Sequence, residues 1–146
     1  MLAPGVSCAT DEMETSPAWK PQETEVAFPA DALPVNGRED VIDDVALLAA
    51  LTNPIASSAA SVELGRGLFE RHCSGCHGKE GLGGAPMAEH FGEPPSLIAE
   101  QNLSLPDGYF YNTIRQGRSL MPPLAEALSS EERWHIVNYL RRLQQQ

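Results

Sequence analysis

Apolar positions are scattered through the first sixty residues and fall into helical register afterwards. In the first part the one periodic stretch is EDVIDDVALLAALT (39–52). There Val41, Val45, Leu48 and Leu51 recur at helical spacing behind acidic residues, which predicts one short helix. Elsewhere six prolines (4, 17, 21, 29, 34 and 54) interrupt the chain. Each discourages helix at the residue before it, so SPAWKPQETEVAFPADALPVNG reads as extended chain. NPIASSAAS (53–61) reads as a linker. From residue 61 the pattern changes. Val62, Leu64, Leu68 and Phe69 form a stripe that predicts a helix over about 62–73, with Ser61 as N-cap. Residues 78–106 are rich in Gly and Pro and read as loop. LPDGYFYNTIRQG predicts a short helix over 107–116, closed by Gly117. SSEERWHIVNYLRRLQ (129–144) is the clearest helix: Ser129 or Ser130 caps it, Glu131 and Glu132 fill the first turn, and Trp134, Val137 and Leu140 or Arg141 line one face. No strand signal stands out. The expectation is an all-α domain over 61–146 behind an extended acidic arm, 1–60.

Composition sharpens that division. Aromatic residues make up only 6% of the 146, so three short helices joined by long loops have little with which to fill a core. Something large, flat and apolar is expected at the centre. The net charge of −10 is uneven. Residues 1–60 hold ten acids against Lys20 and Arg38, whereas 61–146 hold ten against eight bases. Nucleic acid is thereby an unsuitable partner. No run of about 18 apolar residues is present to span a bilayer. MLAPGVSC lacks the basic start and the length of a signal peptide.

The chemistry is concentrated in ERHCSGCHGKEG (70–81), where Cys73, Cys76 and His77 occupy five residues. Three uses compete. Zinc wants four ligands, but adjacent Cys76 and His77 diverge on a helical turn and no second pair follows. A thiol–disulfide pair wants strands around it, and none are signalled. Covalent haem attachment fits: two thiols at this spacing reach the two vinyl groups of one porphyrin edge, and the next residue turns its imidazole under the iron.

A second axial ligand is expected on the far face. Met121, in QGRSLMPPL, lies 44 residues beyond His77, enough chain to wrap the haem edge. Pro122 and Pro123 forbid helix there and stiffen the loop. Met87 is the rival, but ten residues keep it on the side of His77. His72, His90 and His135 are further candidates, read as surface or packing histidines.

GRGLFERHCSGCHG, PPSL, DGYFYNTIRQGRSLMPP and HIVNYLRRL together resemble the class I, single-haem c-type cytochromes over about 61–144. The resemblance implies the cytochrome c class I fold: three main helices and long loops around one covalent haem c. It implies that the first and last helices cross at Gly65, beside the aromatic pair Phe69 and Tyr139. It implies that Pro86 offers its carbonyl to Nδ1–H of His77, with Pro94 and Pro95 the prolines most easily confused with it. It also implies that Arg115 and Arg118, flanking Met121, neutralise a haem propionate. The function so implied is electron transfer by one haem held by His77 and Met121, without an enzymatic reaction of the chain's own. The competing class is a catalytic or gas-sensing haem protein with a vacant or labile sixth position.

WKPQE, FPADALPVNG and NPI ahead of the attachment helix resemble the single-haem cytochrome subunit of alternative complex III, a bacterial quinol:electron-acceptor oxidoreductase. That resemblance implies redox partner proteins, a multisubunit membrane complex gripped through residues 1–60, and membrane contact through a lipidated Cys8, although Gly5 stands where the lipidation motif usually has Leu. Haem is attached outside the bacterial inner membrane, where thiols meet an oxidising space. The expected location is therefore periplasmic, or the extracytoplasmic face of a membrane, reached by a signal sequence lying upstream or removed.

Overall fold

The computed structural model describes Ile42 and residues 44–146. The expected extended arm, with Cys8, Trp19 and Phe28, lies outside the described residues. Helices α1 (Val45–Ala50), α2 (Ala59–His72), α3 (Ser74–His77), α4 (Ala88–Phe91), α5 (Glu100–Leu103), α6 (Asp107–Gln116) and α7 (Ser130–Leu143) follow one another. Among the described residues there is no strand, only an isolated bridge between Arg118 and Met121. No helix there is long and apolar enough to cross a membrane.

Local chemistry sets most helix ends. Ser129 caps α7 by accepting from the Glu132 amide, while the Glu132 carboxylate accepts from the Ser129 amide, a complete capping box. Gly117, at φ 73°, ends α6 where the expectation placed it. Helix α2 starts earlier than expected. Its cap is Ser58, which accepts from the Ser61 amide, and Ala59 and Ala60 add good helix formers ahead of Val62. Ser61 is instead buried inside the fold.

The core sits where α2 crosses α7. A Cβ on Gly65 would lie 2.0 Å from the His135 carbonyl oxygen, so only glycine lets the backbones meet. Phe69 and Tyr139 pack beside the crossing with ring centroids 5.3 Å apart. Helix α7 is buried continuously from Arg133 to Leu140, far beyond the one face read from its sequence. The reason is that α2, α6 and residues 53–55 each cover part of it. Its polar members are satisfied there. Asn138 donates to Ser61 Oγ (2.8 Å) and to the Ile55 carbonyl (3.3 Å), and accepts from Asn53 (2.9 Å). The Ser61 hydroxyl is then left to donate to His135 Nδ1, 2.8 Å away, which puts the ring proton on Nε2.

Described residues ahead of 61 pack on the helices that follow. Helix α1 packs on α6, and Leu48 is buried there. The expected linker is ordered by Asn53, whose side chain joins Asn138 to the Ile55 amide. Asn53 and Asn138 stand 85 positions apart, so no local pattern in the sequence carried this.

Candidate haem cleft

Helix α2 leads directly into the cysteine motif, with only Cys73 between it and α3. Cys73 closes it by donating to the Phe69 carbonyl, and the chain makes one more turn as α3, in which the Cys76 and His77 amides both return to the Cys73 carbonyl. Gly78, at φ 74°, ends that turn. Two thiols and an imidazole are thus presented by a single turn at the end of a long helix. Neither thiol is in a disulfide. Burial, with Cys76 beside it, pushes the Cys73 thiol up to about 12, so it is held neutral. Burial also holds the His77 imidazole below the usual histidine range.

These three residues line a cleft of about 450 Å³. Its far boundary is α6, through Tyr109, Phe110, Thr113 and Ile114, and the loop that carries Met121. That loop is a tight hairpin. Arg118 and Met121 exchange backbone hydrogen bonds of 3.0 and 2.9 Å around Ser119 and Leu120, and Ser119 takes φ 53°. Gly117 is required at its root, because a Cβ there would lie 2.4 Å from the Met121 carbonyl oxygen. Met121 is half-buried and packs against the core.

The other sequence candidates separate. Met87 lines the cleft from the attachment side: its amide donates to the Gly75 carbonyl, and a Cβ on Gly75 would sit 3.3 Å from its Sδ. Ten residues do keep it beside the cysteine turn. His72 reaches the cleft, whereas His90 is exposed outside it and His135 is bound to Ser61. Arg118 lines the cleft and lies over the Tyr109 ring at 5.2 Å. Arg115 does not line it: it lies within α6, whereas Arg118 belongs to the hairpin beyond the Gly117 cap.

Pro86 does not line the cleft. It is exposed and borders a separate shallow surface with Glu89 and Glu93. The carbonyl facing the His77 ring is that of Pro95, which favours the protonated imidazole against the effect of burial. It stops short of hydrogen-bond geometry, so the buried Nδ1 has no partner. Loop 83–94 explains the exchange. Gly84 donates to the Glu93 carboxylate, closing that loop on itself and turning the chain so that Pro95 re-enters the cleft. The α6 face at 109, 110, 113 and 114 was missed in the sequence, although its i, i+1, i+4, i+5 spacing is a legible signal.

The residues fit a covalently held haem. The walls are largely apolar, and the two thiols, a half-buried imidazole whose pKa burial lowers, and a thioether all border the same space. The profile described as cytochrome c oxidase, cbb3-type, subunit III, matches residues 60–140, more than half of the chain. Cytochrome c550 of Pseudomonas aeruginosa is 29% identical over 92 residues, which cover 60% of this chain and 59% of that protein. A chain of the reducing HAO-like protein complex of Kuenenia stuttgartiensis superposes with a TM-score of 0.55 at 26% identity, over 62% of this chain and 46% of that one. Cytochrome cL of Methylophaga aminisulfidivorans shares the fold, with a TM-score of 0.50 at 24% identity over 69% of this chain and 68% of its own. The chain spans about half the length of the Kuenenia chain and under two thirds of the Pseudomonas protein. By its family, its fold and its cleft, this chain belongs with the class I single-haem c-type cytochromes, and its cofactor is covalently bound haem c.

Proposed function

We propose that the chain carries one electron at a time between protein partners, and that His77 and Met121 are the side chains that would hold the haem iron. The observation that carries this reading is that both side chains border one cleft together with Cys73 and Cys76. When bound, haem c supplies the one-electron iron couple. The chain's own residues do the rest. Cys73 and Cys76 fix the edge nearest the α3 turn. Burial disfavours the charged His77 ring and so favours the form that can donate a lone pair. The Arg118–Met121 hairpin presents the thioether without a helical frame, and Pro122 adds an apolar wall that excludes water. With both positions filled, no site is left for a substrate. Arg118 is the one arginine at the cleft among the candidates, and it is the residue we assign to a propionate.

We further place the protein at the extracytoplasmic face of a membrane, as a subunit of a respiratory assembly. Support comes from the arm's sequence and from the likeness to a chain of a multisubunit redox complex. Cys8 is the proposed lipid anchor.

Two experiments test these readings. Reduced wild-type protein should not bind carbon monoxide at neutral pH, and Met121→Ala should. Binding by the wild type would favour a gas-sensing or catalytic haem. A chain beginning at Asp40 should keep its haem spectrum and lose co-purification with the membrane complex. Retained association would remove the arm as the tether.

A further inference from the structure

Helix α6 is held between two things. Gly108 and Asn112, four residues apart, share one face, while Tyr109, Phe110, Thr113 and Ile114 cover the opposite one and line the cleft. The Gly108 face is occupied by residues 42–51, upstream of the segment that matches the family profile. Contact there is backbone to backbone: a Cβ on Gly108 would lie 2.1 Å from the Leu48 carbonyl oxygen and 2.9 Å from Leu51 Cβ. Asn112 donates to the Ile42 carbonyl at 2.9 Å and accepts from Gln116 at 2.8 Å. Helix α1 is itself fixed at both ends, by its Asp44 cap and by the Asn53–Asn138 bond beyond it.

The other end of α6 leads straight to the Met121 loop. Gly117 caps the helix, the Arg118–Met121 hairpin follows at once, and Leu124 donates back to the Ile114 carbonyl at 3.0 Å. Any tilt of α6 therefore moves Met121. Single-turn loops of this kind have little packing of their own: Arg118, Ser119, Leu120, Pro122 and Pro123 are all exposed.

We infer that residues 42–51 are a brace on the back of α6 and that Gly108 is a positioning residue for Met121. The brace lets the segment before the family domain set how firmly the distal thioether is held. The inference rests on Met121 being the distal ligand, and its test separates the two.

The haem-loaded full chain is compared with Gly108→Ala, with Asn112→Ala, and with Gly67→Ala, where an added Cβ meets nothing within 4 Å. Amide exchange over 107–124, taken relative to the amides of α7, should speed up about tenfold in Gly108→Ala, about fivefold in Asn112→Ala, and not in Gly67→Ala. Replacement of the thioether by added imidazole in the ferric protein should accelerate in the same order. Faster exchange confined to 44–51, with 107–124 and imidazole replacement unchanged, overturns the brace. If Gly108→Ala does not take up haem, Asn112→Ala decides alone, since it removes two side-chain hydrogen bonds, only one of them to the brace, and adds no clash. If Met121→Ala leaves imidazole replacement unchanged, the ligand reading falls, and exchange over 117–124 still decides the brace.

Discussion

The two walls of the haem cleft are built differently. The attachment wall is a helix crossing in which the Gly65 backbone meets that of His135, an aromatic pair packs alongside, and a buried chain of side chains runs from Asn53 through Asn138 and Ser61 to His135. The Met121 wall is a hairpin hung from α6, with one bridge of its own and exposed neighbours. The first wall has no slack, so it holds the cysteine turn ready for the cofactor. The second has little packing of its own, so on the proposed ligation it is where sequence change would alter the iron's environment without undoing the fold. On that reading, stability and potential would be set by different parts of one small domain.

Gly65→Ala should break the first wall outright. The added methyl overlaps the His135 carbonyl, and separating the helices costs about 3 kcal/mol or more. Thermal melting of the haem-loaded protein measures this, and an unchanged melting temperature would mean the crossing is not tight. Met121→Ala should act on the second wall, lowering the reduction potential by roughly a hundred millivolts. Met87→Ala, on the attachment side, should leave the potential in place. Potentiometric titration of both variants checks the pair, and the opposite ranking would exchange their roles.

Asn138→Leu should sharpen the contrast. It leaves the Asn53 amide, the Ser61 hydroxyl and the Ile55 carbonyl short of a partner, costing about 2 kcal/mol in denaturant unfolding with little change in potential. The smallest effect concerns the start of α7. Hydrogen bonds from the Ser129 amide and hydroxyl hold the Glu132 carboxyl below the usual glutamate range, and Arg71 and His72 add to this weakly. A depressed carboxyl stabilises the fold above its unfolded pKa and loses that contribution as pH falls through the folded value. Capping should therefore be intact at neutral pH and fade only in acid. Glu132→Gln should cost about 1 kcal/mol or less at pH 7, since the side chain is largely solvated, and should converge with the wild type in acid. A constant difference across that range would refute the assignment.

What was legible was local. The cysteine turn, the Gly117 stop, the Ser129 cap and the α7 helix all depend on residues within a few positions of one another, and each stands where the sequence placed it. Gly65 with Phe69 and Tyr139 was legible through family likeness, because a crossing this close admits one residue type. The α2 cap slipped by a turn because Ser58 and Ser61 are both good caps, and the choice fell to a distant residue: Ser61 is taken by His135 and Asn138.

By itself, then, the sequence determined the helices, the attachment chemistry and the need for a large apolar group, since backbone propensity and ligand spacing act within one or two turns. Only the tertiary structure decided that Pro95 and not Pro86 faces His77, that Arg118 and not Arg115 reaches the cleft, and that residues 42–58 belong to the domain. Each of those turns on which distant segments meet after loops close. That depends on contacts such as Gly84 with Glu93, Gly108 with Leu48 and Asn53 with Asn138, which no spacing along the chain records.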